Sequence, residues 1–354
     1  MRYFYLLMLF WLSNPIAGQV STRNYIRTRT MLNETGSSYM DLIVYYDGLG
    51  RPFQTVFKGI TPSNQNLVSL QEFDEMGRES KSWLPVVSTS DYVAAGDFIS
   101  NAPGSYNNDS RPYYQSVYEF SPLNRMVQQY GPGVAWHSGH SVTTEYLVNT
   151  TISPLNCINY SVNSSGSLVN NGNYASSRLY VTKTIDEDDN IGYVFIDKLE
   201  RAVLTRQMKD NVPHDTYYVY DNRNNLSFVL QPMYQEPGAN LDLHSFQYKY
   251  DSRNRCIEKK LPGVQPIYYV YDRANNLIFS QDGEQRDRNE WAFSIPDALG
   301  RTVLTGICKN SLDHNLDPLG TIAVKAVWKN TDNANKGYAI DGISITSPVI
   351  YSAS

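Results

Sequence analysis

Three stretches of the chain share one pattern: YYVYDNRNNLSFVL at Tyr217–Leu230, YKYDSRNRCIEKKL at Tyr248–Leu261 and YYVYDRANNLIFS at Tyr268–Ser280. In each, an aromatic run leads into a five-residue turn of the form Asp-x-x-(Gly/Asn)-(Arg/Asn), and an apolar run follows. Eight such turns begin at Asp47, Asp74, Ser121, Asp197, Asp221, Asp251, Asp272 and Asp297. Five of the seven spacings between these starts lie between 21 and 30 residues, which indicates a repeat architecture.

The composition of the turns predicts their backbone conformation. Seven of the eight copies have Gly or Asn at the fourth position, and both residues tolerate a left-handed backbone. A hairpin loop in which a type I turn is followed by a left-handed residue asks for that chemistry. The Asp at the first position suits it too, because its carboxylate can accept backbone N–H groups two residues on. Glu200 is the exception at the fourth position, and we expect a looser turn there.

The fifth position is Arg in six copies and Asn in two, at Asn225 and Asn276. We expect each Arg to pair with a carboxylate of its own or the adjacent turn. A surface pair contributes only about 0–1 kcal/mol, but a row of them can hold stacked hairpins in register. The residues assigned to these structural turns are Asp47, Gly50, Arg51, Asp74, Gly77, Arg78, Asn124, Arg125, Asp197, Arg201, Asp221, Asn224, Asp251, Asn254, Arg255, Asp272, Asn275, Asp297, Gly300 and Arg301.

The segments around the turns predict an all-β fold. They are rich in Tyr and in β-branched residues, which favour strands, and they show partial alternation of apolar and polar residues. No segment carries a sustained helical stripe. A single hairpin is only marginally stable, so we expect an array of stacked antiparallel hairpins, each burying its aromatic rows against the next.

Charge and hydropathy restrict the location and the partners of the protein. Net charge is only -5, which provides no field to attract nucleic acid. Met1–Gly18 is predicted to be a signal peptide, because Arg2 precedes the ten-residue apolar run Tyr3–Leu12 and Ser13–Pro15 breaks it. Ten residues are too few to span a bilayer. We therefore predict a secreted or cell-surface protein with no membrane span in its mature form.

These features suggest five segments. The expected divisions are the signal peptide at 1–18, an N-terminal domain with the first three turns at 19–140, a polar β insertion at 141–180, the hairpin array at 181–307 and C-terminal strands, expected to be truncated, at 308–354. A loop rich in Ser and Asn at Val86–Ser116 is expected to hold a short helix near Asp91–Ser100. The three cysteines, Cys157, Cys256 and Cys308, allow either one disulfide plus a free thiol or three buried thiols, and we favour the buried thiols.

The repeated segments resemble a known family. YYDGLGR, EFDEMGR, SPLNR, YKYDSRNR and YVYDRANN resemble the YD repeats of the Rhs (rearrangement hotspot) family. NYIRTRTML through YYDGLGRPFQTV, together with SPLNR and GPGVAWH, also resembles an N-terminal domain of unknown function that precedes YD repeats in exported proteins of Bacteroidetes-type bacteria. The resemblance covers most of 24–307. It implies hairpins that curve into part of a shell or spiral, which in complete members can enclose a C-terminal toxin.

Complete members end in a self-cleaving motif, which this chain matches only in part. Asp317-Pro318-Leu319-Gly320 is present, but Leu312 stands where Pro is needed and Thr321 where Leu should follow. We interpret the segment as an Asp-Pro turn. The chain therefore resembles the N-terminal portion of such a protein.

Several residue clusters allow a functional and a structural interpretation. His137 and His140 are spaced like metal ligands, but no third ligand is near and we favour a surface loop. The acidic run Asp186–Asp189 resembles a calcium loop without its glycine and its bidentate Glu, so we favour a hairpin tip. The tyrosine rows can bind sugars or pack between hairpins, and we favour packing. Sequons occur at Asn33, Asn149 and Asn163.

Two functions follow from this sequence. The first is a non-catalytic exported scaffold that encloses or displays a C-terminal domain, so its partner is the downstream part of the same polypeptide or an enclosed cargo. The second is a cell-surface module that binds a glycan or protein through exposed tyrosines. No recognised catalytic motif is present. We predict no enzyme activity, no cofactor, no metal and no nucleic-acid partner.

Overall fold

The computed structural model describes residues 23–272, 274–296, 299–309, 327–329, 337–340 and 343–346. By contacts, the chain divides into unit 1, residues 1–144 with 185–189, and unit 2, residues 145–184 with 190–354. Strands dominate the described residues of both units, and every pairing with an assigned register is antiparallel. None of the helices found in these residues is long and apolar enough to cross a membrane.

The described residues of unit 1 contain eight strands, the start of a ninth and one helix. Their bounds are β1 Asn24–Met31, β2 Tyr39–Tyr46, β3 Pro52–Lys58, β4 Asn66–Phe73, β5 Glu79–Trp83, β6 Val86–Ser88, α1 Ala95–Ser105, β7 Tyr113–Tyr118, β8 Met126–Tyr130 and β9 Ser141–Val148, of which the last continues into unit 2.

Strand pairing in unit 1 follows the chain. Strands β1 to β4 pair in order, β4 then pairs with both β5 and β6, and β5, β7, β8 and β9 pair in succession. Alternate residues of β2 are buried, as expected for a sheet with one covered face. The core includes Val56 and Val68, both 0 % exposed, and helix α1 contributes Phe98 and Ala102 to it.

Unit 2 contains the longest run of consecutive hairpins. Its strands are β10 Ile158–Val162, β11 Leu168–Asn173, β12 Tyr180–Ile185, β13 Ile191–Ile196, β14 Ala202–Lys209, β15 Val212–Tyr220, β16 Leu226–Leu230, β17 Ser245–Tyr250, β18 Cys256–Lys260, β19 Ile267–Tyr271, β20 Leu277–Gln281, β21 Glu290–Pro296, β22 Thr302–Lys309, β23 Val327–Lys329, β24 Gly337–Ile340 and β25 Ile343–Thr346.

Among the described residues of unit 2, three short helical segments connect some of these strands. They are the 3-10 turn Pro232–Gln235, α2 Leu241–His244 and α3 Gly283–Asp287. From β13 to β22 each strand pairs with the next in sequence. One core cluster in this run is centred on Phe279, Trp291 and Ile295.

The polar insertion covers a second core cluster of unit 2. The β10–β11 hairpin contributes half-buried apolar side chains to a cluster that contains Cys157, Leu179 and Phe195. Asn149 fastens the insertion from within, because its side chain accepts the N–H groups of Arg178 and Leu179, both at 2.8 Å. The polar β insertion is therefore a packed part of the unit.

The all-β fold class predicted from the sequence is confirmed: the strands form open antiparallel sheets built of successive hairpins. A helix occurs in the long loop of unit 1, at Ala95–Ser105, later in the chain than the expected Asp91–Ser100. The three cysteines are free thiols. Burial raises the pKa of the Cys157 thiol to about 12, so it stays protonated and unreactive at neutral pH.

Candidate functional site

The repeated turns share one backbone geometry. In all eight copies the residue at the fourth position has a positive φ, between 53° at Asn124 and 81° at Gly77. A register shift interrupts the strand pairing at each of these turns, for example between Tyr45 and Tyr46 and between Tyr250 and its neighbour Lys249. These are the features of a type I turn closed by a left-handed bulge residue, as the Gly and Asn spacing predicted.

The first-position carboxylate organises each turn from inside. In the first copy Asp47 Oδ1 accepts the N–H groups of Leu49 and Arg51, both at 2.9 Å, while Asp47 Oδ2 accepts Arg51 Nε at 2.8 Å. The same three bonds occur in the copies that begin at Asp74, Asp197 and Asp251. The prediction that the Arg pairs with a carboxylate of its own turn is confirmed for these copies.

The fifth-position Arg also reaches the next turn. Arg201 Nη1 donates to Asn224 Oδ1 at 2.8 Å, and its guanidinium lies 4.6 Å from the centre of the Tyr220 ring. Arg78 in unit 1 contacts Asn124 and Tyr118 in the same way. Arg78, Arg201 and Arg255 are thus bonded within their own turns and bridge to the fourth-position residue and the aromatic residue of the next copy.

A second row of bonds runs parallel to the Arg row. In four copies the tyrosine at the end of the strand before the turn donates its hydroxyl to the carbonyl of the residue that follows the preceding turn. The bonds are Tyr118 to Glu79 at 3.1 Å, Tyr220 to Ala202 at 3.1 Å, Tyr250 to Leu226 at 2.9 Å and Tyr271 to Cys256 at 3.0 Å. These hydroxyls therefore join neighbouring hairpins, which favours the packing interpretation of the tyrosine rows. We call the combined Arg and Tyr rows the turn ladder.

Asn at the fifth position preserves part of the ladder. Asn225 Nδ2 donates to Asp221 Oδ2 at 3.0 Å and to Asn254 Oδ1 of the next turn at 3.1 Å. Asn276 keeps the bond within its turn, to Asp272 Oδ2 at 2.9 Å. The short amide cannot stack on the next aromatic ring as Arg does. These two positions therefore hold the turns together with fewer contacts.

The structure refines the third copy, corrects one expectation and leaves one residue untested. The third turn begins at Ser121, whose carbonyl accepts the Asn124 N–H at 3.2 Å, but Glu119 takes the carboxylate role: it binds the Arg125 side chain, and its N–H donates to the Arg125 carbonyl at 3.0 Å. The expected looser turn at Glu200 is wrong: Glu200 has a φ of 60° and its N–H donates to the Asp197 carbonyl at 3.1 Å, as in the other copies. Asp297 lies outside the described residues.

Two further turns share this geometry, and the sequence analysis predicted only the second of them, as a hairpin tip. Asn163 takes the Asp role in the β10–β11 hairpin, where its side chain accepts the N–H groups of Ser165 and Ser167 and Gly166 has a φ of 81°. Asp186 does so before β13, with Asp189 at a φ of 62°. Neither copy has the aromatic residue and the Arg that defined the sequence pattern. The spacing of Asn163 to Gly166 was the available signal.

The carboxylates of the turn ladder have lowered pKa values, which favours their ionised form. The pKa of Asp47 lies below its ordinary value because the Arg51 N–H and side chain donate to it, and the pKa of Asp74 is lowered in the same way by Arg78. The Arg125 side chain lowers the pKa of Glu119 to about 2. Hydrogen bonds that favour the charged form of a carboxylate have this effect.

We therefore expect acid to weaken the folded state. A carboxylate whose folded pKa is depressed stabilises the fold above its unfolded pKa, about 4.3 for Glu, and this contribution is lost as the pH falls through the folded pKa. For Glu119 the window runs from that unfolded value down to about 2. Urea unfolding midpoints should fall steeply between pH 5 and pH 2, measured by fluorescence. Glu119→Gln should flatten this dependence, and an equally steep curve would contradict the assignment.

Substitutions at the left-handed positions should lower the stability of the fold, and most where the new side chain disturbs the turn ladder. Gly77 has a φ of +81°, and a Cβ there would lie 2.7 Å from Arg51 Nη1, whereas a Cβ at Gly50 meets nothing within 4 Å. We expect Gly77→Val to cost about 1–3 kcal/mol of unfolding free energy, and Gly50→Val to cost less. Gly77→Asn is the control for backbone strain, since Asn occupies this position in other copies. Unchanged thermal stability of Gly77→Val would show that the turn is dispensable.

Other candidate sites of the sequence have structural roles here. His137 is half-buried and stacks on Tyr130 at 4.7 Å between ring centres, while His140 contacts the Glu187 carbonyl at 3.0 Å. The acidic run forms a hairpin tip, as interpreted from the sequence. No group of three or more His, Cys, Asp or Glu side chains in the described residues is placed to hold a metal ion. The Asp317 segment lies outside the described residues.

The three sequons differ in access. Asn149 is 0 % exposed and its Nδ2 donates to the Ala175 carbonyl at 3.0 Å, so a glycan cannot be attached in the folded state. Asn33 and Asn163 are exposed.

Comparisons with known proteins relate the chain to one family model and one group of structures. Residues 19–148 match the model of DUF6443, a domain of unknown function. No curated protein matches the chain. The crystal structure of TcdB2-TccC3 aligns with a TM-score of 0.52 and 12 % identity over 84 % of this chain. Those of TcdB2-TccC3-Cdc42 and TcdB2-TccC3-TEV align with TM-scores of 0.52 and 0.51, also at 12 % identity, over 77 % of it.

Such identity shows a shared fold and no more. The chain spans only 13 to 14 % of the length of the chains in those structures. The domain match and the shared fold fit an Rhs-like protein.

Proposed function

We propose that this chain is a non-catalytic scaffold, the N-terminal part of an exported YD-repeat β-shell that encloses or displays a C-terminal domain of the same polypeptide. The observation that carries the proposal is the turn ladder. The Asp, Arg and Tyr side chains of the repeat, which are the sequence's candidates for catalysis or binding, form hydrogen bonds within turns and between neighbouring hairpins. Arg201 and Arg255 each donate to the carboxylate of their own turn and to the fourth-position Asn side chain of the next turn.

The turn ladder favours a structural role, as part of an extended β-sheet surface, over a role as a binding site. In unit 2 successive copies bond to one another through Arg201 and Asn224, Asn225 and Asn254, and Arg255 and Asn275, so the number of hairpins can grow without changing the local structure. Turns on one sheet edge are two strands apart, about 10 Å along the sheet. A surface extended in this way supplies area and rigidity. The aligned fold of the TcdB2-TccC3 structures, in chains several times longer, supports the same interpretation.

Export and the downstream cargo are separate parts of the proposal. The apolar run Tyr3–Leu12 supports a cleaved signal peptide, which leaves Gln19 as the first residue. The repeat resemblance supports a Bacteroidetes-type Rhs protein that continues beyond the hairpins into a cargo domain. A shell needs no cofactor or metal for this role.

The test uses the protein from its native cells. An antibody against the purified chain should detect, in the culture medium or at the cell surface, a polypeptide that begins at Gln19 and exceeds the 40.2 kDa of this sequence. Its downstream part should resist protease until urea unfolds the β array. A cytoplasmic protein, or a downstream part that is digested at the same rate with and without urea, would refute the scaffold.

A glycan array separates this proposal from the surface-binding alternative. The ladder tyrosines Tyr220, Tyr250 and Tyr271 are half-buried and bonded through their hydroxyls. The scaffold proposal expects no saturable glycan binding by the folded chain. Saturable binding that is lost on Tyr→Ala substitution at unchanged stability would instead support a carbohydrate-binding module.

A further inference from the structure

Strand β1 is an exposed edge of the sheet in unit 1. All eight of its residues, Asn24–Met31, are exposed, and β2 is the strand it pairs with in the described part of unit 1. Natural proteins protect such edges, because a row of free N–H and C=O groups is a template for another strand. The covered core begins one strand further in, where Ile43 is 3 % exposed.

The register shows which residues of β1 offer free backbone groups. The Leu32 N–H donates to the Ser38 carbonyl at 2.8 Å, so this pair is bonded across β1 and β2. Bonded and non-bonded pairs alternate along an antiparallel ladder, and the β1–β2 register has no shift. The backbone groups at even-numbered positions therefore face β2. Those of Tyr25, Arg27, Arg29 and Met31 face outward.

The same four residues share one face, and that face is positively charged. Arg27 and Arg29 both bind Asp41 of β2, which is 4 % exposed, while the two Arg side chains remain 44 % and 40 % exposed. Two cations share one carboxylate, so the strand has a local excess of positive charge. Glu34 lies beyond the end of the strand, in the loop to β2. Tyr25 and Met31, at the two ends of the row, are 41 % and 56 % exposed.

We propose that β1 is a docking edge for an extended acidic segment of a partner polypeptide, which adds to the sheet as a further strand. Residues directly opposite each other in neighbouring strands have their side chains on the same face. The incoming strand would therefore place carboxylates opposite Arg27 and Arg29 and apolar side chains opposite Tyr25 and Met31. The matching pattern is apolar-x-acidic-x-acidic-x-apolar, recognised by main-chain bonds and by charge.

A second copy of the chain does not fit this edge. Two antiparallel β1 strands would set Arg27 and Arg29 of one copy against the same residues of the other, and like charges directly opposite are destabilising. The chain contains the acidic alternation at Ile185–Ile191, but Asp189 there has a φ of 62° in a closed turn. That segment is therefore not extended and cannot dock as a strand.

A synthetic peptide tests the edge directly. The probe is fluorescein-labelled Val-Thr-Glu-Thr-Asp-Thr-Val, titrated with the full chain and followed by anisotropy at low salt. The matched control peptide, Val-Thr-Thr-Glu-Asp-Thr-Val, has the same composition but puts its two carboxylates on opposite faces. We expect saturable binding of the probe and about tenfold weaker binding of the control. Since the chain has a net charge of -5, general attraction of an acidic peptide does not explain such a difference.

Two variants localise the interaction to Arg27. Arg27→Gln removes one charge while Arg29 keeps both of its bonds to Asp41, at 2.7 and 2.8 Å, so the strand remains anchored. It should weaken probe binding by about three- to fivefold. Arg288→Gln, at an Arg that is 53 % exposed in unit 2, should leave it unchanged.

Hydrogen exchange supplies the second readout. Bound peptide should protect the amides of Tyr25, Arg27, Arg29 and Met31, which face outward, and leave the protection of Ile26 unchanged. The proposal is overturned by the absence of saturable binding up to about 1 mM peptide, by equal binding of both peptides, or by protection elsewhere in the chain. Concentration-dependent dimerisation through β1, measured by sedimentation, would identify a second copy as the occupant and would also overturn it.

Discussion

Replacing Asp215 by Asn should destabilise the protein by about 3–5 kcal/mol, because it leaves a buried guanidinium without its counter-charge. Arg206 is 2 % exposed, and its Nε and Nη2 donate to the two Asp215 oxygens at 2.7 and 2.6 Å. Arg206 Nη1 also donates to the Pro154 carbonyl and to Asn156 of the insertion. Loss of the pair should therefore loosen the insertion as well as the sheet beneath it.

The measurement is the free energy of unfolding by urea, with two comparisons. Lys249→Met removes a pair whose Lys is 65 % exposed, and such surface pairs contribute about 0–1 kcal/mol. The double variant Arg206→Met with Asp215→Leu should recover much of the loss, since replacing both members of a buried pair by apolar residues removes the orphaned charge. If Asp215→Asn costs no more than Lys249→Met, the buried pair does not anchor the insertion.

Asn149→Ala should cost about 2–4 kcal/mol, because it leaves the buried Leu179 N–H without a partner, at about 1–3 kcal/mol, and removes two part-buried hydrogen bonds that contribute about 0.5–1.5 kcal/mol each. Asn149 Oδ1 accepts the N–H groups of Arg178 and Leu179, and its Nδ2 donates to the Ala175 carbonyl. These bonds close the two ends of the insertion against each other. Limited proteolysis should then cut within 150–178 before the rest of the chain.

Asn163→Ala is the matched control for Asn149→Ala. Asn163 also accepts two backbone N–H groups, at 3.0 Å from Ser165 and 2.8 Å from Ser167, but it is exposed, so water replaces the lost bonds. Its cost should stay near about 0.5–1 kcal/mol. Equal unfolding free energies for the two variants would mean that burial of Asn149 is not what makes it important.

Much of the turn ladder could be predicted from the sequence, because its cause is local. The geometry of a single hairpin turn requires a left-handed residue at the fourth position and favours a carboxylate that accepts an N–H two residues on. The left-handed conformation of Gly77 and Asn224 can therefore be predicted from the residue type. Glu200 adopts the same conformation although its residue type does not predict it, since the bonds of Asp197 and Arg201 around it compensate for an unfavourable residue.

Contacts between neighbouring turns could be predicted only in part from the sequence. A row of Arg residues suggested pairing, but the partners Asn224 and Tyr220 of Arg201 are set by the stacking of one hairpin on the next. The hydroxyl bond from Tyr220 to the Ala202 carbonyl depends on the same stacking. Sequence spacing cannot distinguish such a bond from an exposed tyrosine.

The sequence by itself determined the all-β fold, the repeat and the shape of its turns, since strand preference and turn geometry depend on residues a few positions apart. Only the tertiary structure decided that the polar insertion is a packed cover, that Arg206 and Asp215 form a buried pair beneath it, and that β1 is an exposed charged edge. Burial is the reason: it depends on which surfaces meet, and those surfaces belong to residues far apart in the chain.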